Sequence, residues 1–133
     1  MFEAEYLIYC AGRSSDENGN VSLHGIFDVI FAQKFPVQHR PFIVVFNLRA
    51  ARAVIKQQLT MKVTLELSGK EVNRVDIEGE FTVEKGANMT PGVDISQFVF
   101  PEPGNYHVKL YVQDKLLMTR PLRMRDAAEL AEK

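Results

Sequence analysis

Apolar and polar residues alternate along much of the chain. Met61, Val63, Leu65 and Leu67 alternate with Thr60, Lys62, Thr64 and Glu66, a period of two that puts one side of a strand in a core and the other in water. Val75, Ile77, Gly79, Phe81 and Val83 continue the pattern against Asp76, Glu78, Glu80 and Thr82. Tyr106, Val108, Leu110 and Val112 do the same against His107, Lys109 and Gln113. After Asp114-Lys115, Leu116, Met118, Leu122 and Met124 follow, and two such runs around a short Asp-containing break predict a β-hairpin.

The first half of the chain is less regular. Residues 6–11 and 21–31 are β-rich and are separated by a polar stretch with Asn18-Gly19, a strong turn signal. Gly25 predicts a bend in the second run. Residues 42–46 are continuously apolar, which predicts a strand covered on both faces, with Pro36 and Pro41 in the loop before it. A further strand over 93–100 stops at Pro101-Glu102-Pro103-Gly104, because proline cannot donate to a ladder. The composition of residues 50–58 favours a helical turn. The expected architecture is an all-β, mostly antiparallel β-sandwich of seven to eight strands, immunoglobulin-like or a similar Greek key, with one short helical turn. One domain is expected over residues 1–124, followed by a charged C-terminal tail, 125–133, of helix formers too few to hold a helix alone.

Composition narrows the class without naming a chemistry. A chain of 133 residues, 46% hydrophobic and 25% charged, suits one globular domain and excludes a disordered chain or a collagen-like repeat. The one cysteine, Cys10, has no partner for an internal bridge and sits in an apolar run, so it is expected to be a buried, inert thiol. The first residues carry two carboxylates where a secretory signal carries positive charge, and no apolar run reaches bilayer-spanning length, so a soluble cytoplasmic protein with no membrane partner is expected. The net charge of −1 hides an asymmetry. From Val29 to Leu65 there is no acidic residue, while Lys34, Arg40, Arg49, Arg52, Lys56 and Lys62 supply six positive charges, leaving −7 elsewhere.

Several motifs together resemble a family. Tyr9-Cys10-Ala11, the run Leu23-His24-Gly25-Ile26-Phe27-Asp28-Val29-Ile30, Phe35-Pro36, Phe42-Ile43-Val44, then Phe100-Pro101, Gly104, Tyr106 and Pro121-Leu122, occur in the order seen in DUF6941, an uncharacterised bacterial family. The likeness covers nearly the whole chain. It implies a small cytosolic β-sandwich-like protein of bacteria or their phages, and it brings no assigned activity and no catalytic residue. Where relatives have Asp-Gly in the last hairpin, this chain has Asp114-Lys115. By its position, Gly104 admits a positive φ at a strand entry. Tyr106 resembles the tyrosine of sandwich corners, its ring in the core and its hydroxyl on a backbone group. Asp28 is expected to serve local backbone donors or to face water.

Tests for chemistry return little. His24, His39 and His107 fall in unrelated segments without metal-ligand spacing, so neither a metal nor a cofactor is expected. No nucleophile elbow, phosphate loop or dinucleotide fingerprint is present. Asp16, Asn18 and Asn20 begin like a calcium loop but lack its glycine and its final glutamate, and an Asx-rich turn is the simpler account. Asp76, Glu78 and Glu80 form a carboxylate row, most simply a solvated strand face. The expected role is a non-enzymatic binding or assembly module that associates with itself or with a protein partner. One alternative is a small-ligand-binding or hydrolytic protein whose site is built from loops 34–41 and 85–92. The candidate binding residues are His39, Arg40, Arg49, Arg52 and Asn88. A second alternative is anion or nucleic-acid binding through the basic segment 34–62, with nucleic acid the less favoured partner.

Overall fold

A computed structural model describes residues 2–86, 88–96 and 98–128 of the chain. The fold is all-β. In chain order the strands are β1 Phe2–Glu3, β2 Leu7–Ser15, β3 Val21–Phe27, β4 Val29–Ala32, β5 Val37–Gln38, β6 Phe42–Phe46, β7 Leu48–Ala50, β8 Val54–Leu67, β9 Lys70–Val83, β10 Asn88–Met89, β11 Gly92–Ile95, β12 Val99–Phe100, β13 Gly104–Val112 and β14 Lys115–Asp126. They pair as a five-stranded sheet β4-β14-β13-β8-β9, a four-stranded sheet β11-β6-β2-β3, and two smaller sheets, β1-β7-β10 and β12-β5. Every pairing is antiparallel except β4 with β14, so the five-stranded sheet is mixed.

The two clearest hairpins follow the alternation. In β13, Tyr106, Val108, Leu110 and Val112 are buried and His107 is exposed. In β9, Asp76, Glu78 and Glu80 are exposed while Val75, Ile77, Gly79 and Phe81 are half-buried and Val83 buried. The β13–β14 turn lies one residue earlier than the sequence suggests. Gln113 and Asp114 both take positive φ, 51° and 65°, between Val112 and Lys115, which pair with each other. Such a two-residue turn matches the twist of its strands. Gln113 Oε1 locks it by accepting from the Thr60 N–H and hydroxyl at 2.8 and 2.9 Å.

Several expected elements are corrected. Residues 50–58 form no helical turn: Ala50 ends β7, a bend follows, and β8 begins at Val54. Pairing of Ala50 with Phe2 and of Val54 with Val83 overrides the local preference, which is worth only tenths of a kcal/mol per residue. A register irregularity between Val54 and Gln57 places Lys56 at φ 46°, its N–H on Thr82 Oγ1 at 3.1 Å. The run 21–31 is two strands, because the chain leaves the four-stranded sheet after Phe27 and joins the five-stranded one at Val29. The run 93–100 likewise splits between β11 on β6 and β12 on β5. The expected tail begins inside β14, where Arg125 and Asp126 pair with Phe31 and Ala32; residues 129–133 lie outside the described residues.

One core cluster draws on both larger sheets, taking Tyr9, Phe42, Val44 and Phe46 from one and Val63, Leu65, Val108, Leu110 and Leu122 from the other. Tyr9 ties them directly, its hydroxyl donating to the Arg120 carbonyl at 2.8 Å. Tyr106 has the anticipated corner geometry: fully buried, with its hydroxyl on the backbone of Glu102. Gly104 has the expected positive φ, 158°, a conformation that L side chains rarely adopt, and a Cβ there would also stand 3.2 Å from Leu67 Cδ1. Buried Asn47 holds the β1–β2 link, its Oδ1 accepting from the N–H groups of Glu5 and Tyr6 at 2.6 and 3.0 Å. Phe42–Phe46 is buried at every position except half-buried Ile43.

Candidate functional site

The chain crosses between the two larger sheets at Asp28, and a broad depression of the surface opens beside that crossing. It is a groove of about 700 Å³ lined by Gly25 and Phe27 of β3, Val29, Ile30 and Phe31 of β4, and His39, Arg40, Pro41 and Phe42 of the segment that enters β6. A shallower depression of about 520 Å³ adjoins it and shares Ile30, Phe31, His39 and Arg40, adding Lys34 and Gln38. Both lie along β4, at the margin of the five-stranded sheet.

Local sequence explains the shape. Gly25 takes φ +66° opposite Ala11, and a Cβ there would sit 3.0 Å from Ala11 Cβ, so β3 approaches β2 closely where the groove begins. The turn before β3 is the expected Asx turn, with Asp16 Oδ1 accepting the N–H groups of Asn18 and Asn20 at 2.9 and 2.8 Å. Those bonds hold the Asp16 carboxyl below its ordinary pKa. Asp28 is exposed, and its carbonyl accepts the Arg123 N–H at 3.1 Å. Past β4, residues 33–41 carry a cis Phe35–Pro36 bond and return the chain to β6.

The groove is aromatic and cationic. The rings of Phe27, His39 and Phe42 meet pairwise at centroid distances of 5.5 to 5.9 Å. His39 Nδ1 lies 2.7 Å from the Arg40 carbonyl, an atom that can only accept, so Nδ1 carries a proton. Burial pushes the His39 pKa below its ordinary value, more strongly than that hydrogen bond raises it, so the ring is neutral at pH 7 and its Nε2 is an acceptor. Arg40 and Lys34 are exposed cations, and no carboxylate lines either depression among the described residues. Such a surface suits a ligand with an apolar or aromatic part and a negative charge.

The structure divides the remaining candidates. Arg49 lies on β7, bound to Glu5 at 2.9 Å, and its register partner is Asn88 on β10. Arg52 is exposed in the bend between β7 and β8. Thus His39 and Arg40 stand together at the groove, while Arg49 and Asn88 meet on the small β1-β7-β10 sheet. The six bases of segment 34–62 are spread over the groove rim, β7, the bend after it and β8. Lys62 sits 4.6 Å from the Tyr111 ring centroid, with Asp76 as its cross-strand neighbour. A cleft of about 320 Å³ there holds one ion pair, Arg74 Nε binding Asp76 at 3.2 Å, beside Glu78 and Asp114.

In the sequence the proline-bracketed loop points to His39 and Arg40, whereas the apolar run places Phe42 in the core alone and no pattern marks Phe27, Val29 and Phe31 as groove residues. The aromatic contact of His39 with residues twelve and three positions away could not be read from spacing. Among the described residues, no group of three His, Cys, Asp or Glu could hold a metal ion, and no helix is long and apolar enough to cross a membrane. Compared with known proteins, residues 5–125 match the model of a family of unknown function, DUF6941. No curated protein matches.

Proposed function

Since the chain belongs to DUF6941, whose function is unknown, we propose on physical grounds that it is a binding module, with the groove beside β4 as its recognition site. The observation that carries this proposal is the convergence of Phe27, His39 and Phe42 with the exposed charge of Arg40, which has no ion-pair partner among the described residues, in one open groove. Apolar walls with a few placed polar groups are the usual make-up of a ligand site. Loops and strand ends on a rigid β scaffold are where such sites are built. The finer architecture belongs to the same proposal: a Greek-key sandwich of the immunoglobulin type, supported by the shared core and the Tyr106 corner, in a cytoplasmic protein.

The test is titration of the 15N-labelled protein with 4-phenylbutyrate, an aromatic carboxylate, followed by amide shifts. The expected result is saturable movement of Gly25, Phe27, Val29, Ile30 and Arg40, weakened in Arg40→Ala. No saturable shift, or shifts centred on Lys62 and Asp76, would overturn the assignment of the site.

A further inference from the structure

We infer that the groove's ligand is an extended, acidic segment of a partner protein, added as a strand along the open edge of β4. This rests on the groove being the recognition site and narrows what it recognises.

The backbone of β4 is open along one side. It has a hydrogen-bonded neighbour on one side only, β14, with which it runs parallel. The Arg123 N–H reaches the Asp28 carbonyl at 3.1 Å, and the Ala127 N–H reaches the Ala32 carbonyl at 2.8 Å. Successive residues of a strand turn their N–H and C=O groups to opposite sides, so Asp28, Ile30 and Ala32 face β14 while Val29 and Phe31 face away. No backbone or side-chain partner for those outward groups occurs among the described residues. Val29 and Phe31 both line the groove, and the Phe31 side chain is 40% exposed. The edge therefore presents two N–H donors and two C=O acceptors in strand geometry, which is what strand addition uses for affinity.

The opposite wall selects the side chains such a strand can carry. An added strand directs alternate side chains to one face, and toward the groove they would meet Phe27, Phe42 and His39. That contact favours an aromatic or branched anchor. At the rim they would meet Arg40 and Lys34, with no carboxylate among the described lining residues, which favours Asp or Glu.

The experiment is selection from a displayed library of random decapeptides, followed by synthesis of the strongest binder. Enriched peptides are expected to combine carboxylates with an aromatic or branched anchor. N-methylation of the amide that pairs with the Val29 or Phe31 carbonyl should weaken binding about tenfold or more, and methylation of its neighbours should not. Val29→Pro, which deletes an outward N–H from an edge strand, and Arg40→Glu should each weaken binding similarly. Binding insensitive to methylation at every position overturns strand addition. So does a dimer in sedimentation that Val29→Pro abolishes, because the edge is then occupied by a second copy. If 4-phenylbutyrate shifts the groove amides but no peptide is enriched, the site stands and the peptide ligand falls. If neither binds, both fall.

Discussion

The Tyr106 hydroxyl donates to the Glu102 carbonyl at 2.5 Å and accepts the Glu102 N–H at 3.2 Å, closing the loop before β13 on a fully buried ring. Phe100 stacks edge-on against that ring at 5.1 Å, so the ring would keep its packing without the hydroxyl. Tyr106→Phe thus removes both polar contacts and little else. It should lower stability by about 1–2 kcal/mol, with an unchanged denaturant slope, in urea unfolding followed by circular dichroism.

Tyr9 gives the fold an alkaline limit. Burial pushes its phenol well above the ordinary value of 10.0, against a smaller lowering by Arg120. Above about pH 10 the unfolded chain releases this proton while the folded chain retains it, so the native state binds more protons and stability falls as pH rises. Below that pH the contribution is fully present. Tyr106, also raised by burial, adds a fall of the same sign. Tyr9→Phe should cost about 1 kcal/mol near neutral pH through the lost bond to Arg120 and should flatten the alkaline loss in urea titrations.

Gly25 is required twice, by its φ of +66° and by its approach to Ala11. Gly25→Ala should cost about 1–2 kcal/mol from the left-handed backbone alone, with a further cost from the contact. Ala11→Gly in the same chain should recover only the contact part. The double variant in thermal unfolding separates the two, and full recovery would contradict the backbone account.

Cys10 is completely buried, and loss of solvent pushes its thiol pKa up. Ellman's reagent should leave the folded protein unlabelled over hours and react within minutes in denaturant. Fast labelling without denaturant would show that the β2–β6 face opens.

The four long strands were readable because half-burial writes itself into each segment at period two, as in Met61–Leu67 and Tyr106–Val112. Tyr106 was readable because its contact spans only four residues. Residues 50–58 misled because their composition speaks for an isolated helix, whereas Phe2 and Val83, distant in the chain, supply the pairing. The break at Asp28 left no mark, since alternation says that a residue is buried and not which sheet buries it. The groove was half visible for the same reason: His39 and Arg40 announced a loop, but their meeting with Phe27 and the outward turn of Val29 and Phe31 arise from tertiary pairing.

The carboxylates of β9 bear on how the molecule behaves at high concentration. β9 ends its sheet, and an antiparallel match with another copy centred on Glu78 would set Glu78 against Glu78 and Asp76 against Glu80 on one face. Like charges directly opposite repel, so that register of β9 upon itself is disfavoured. The other margin of that sheet, the short one at β4, is bordered by cations and aromatic rings instead.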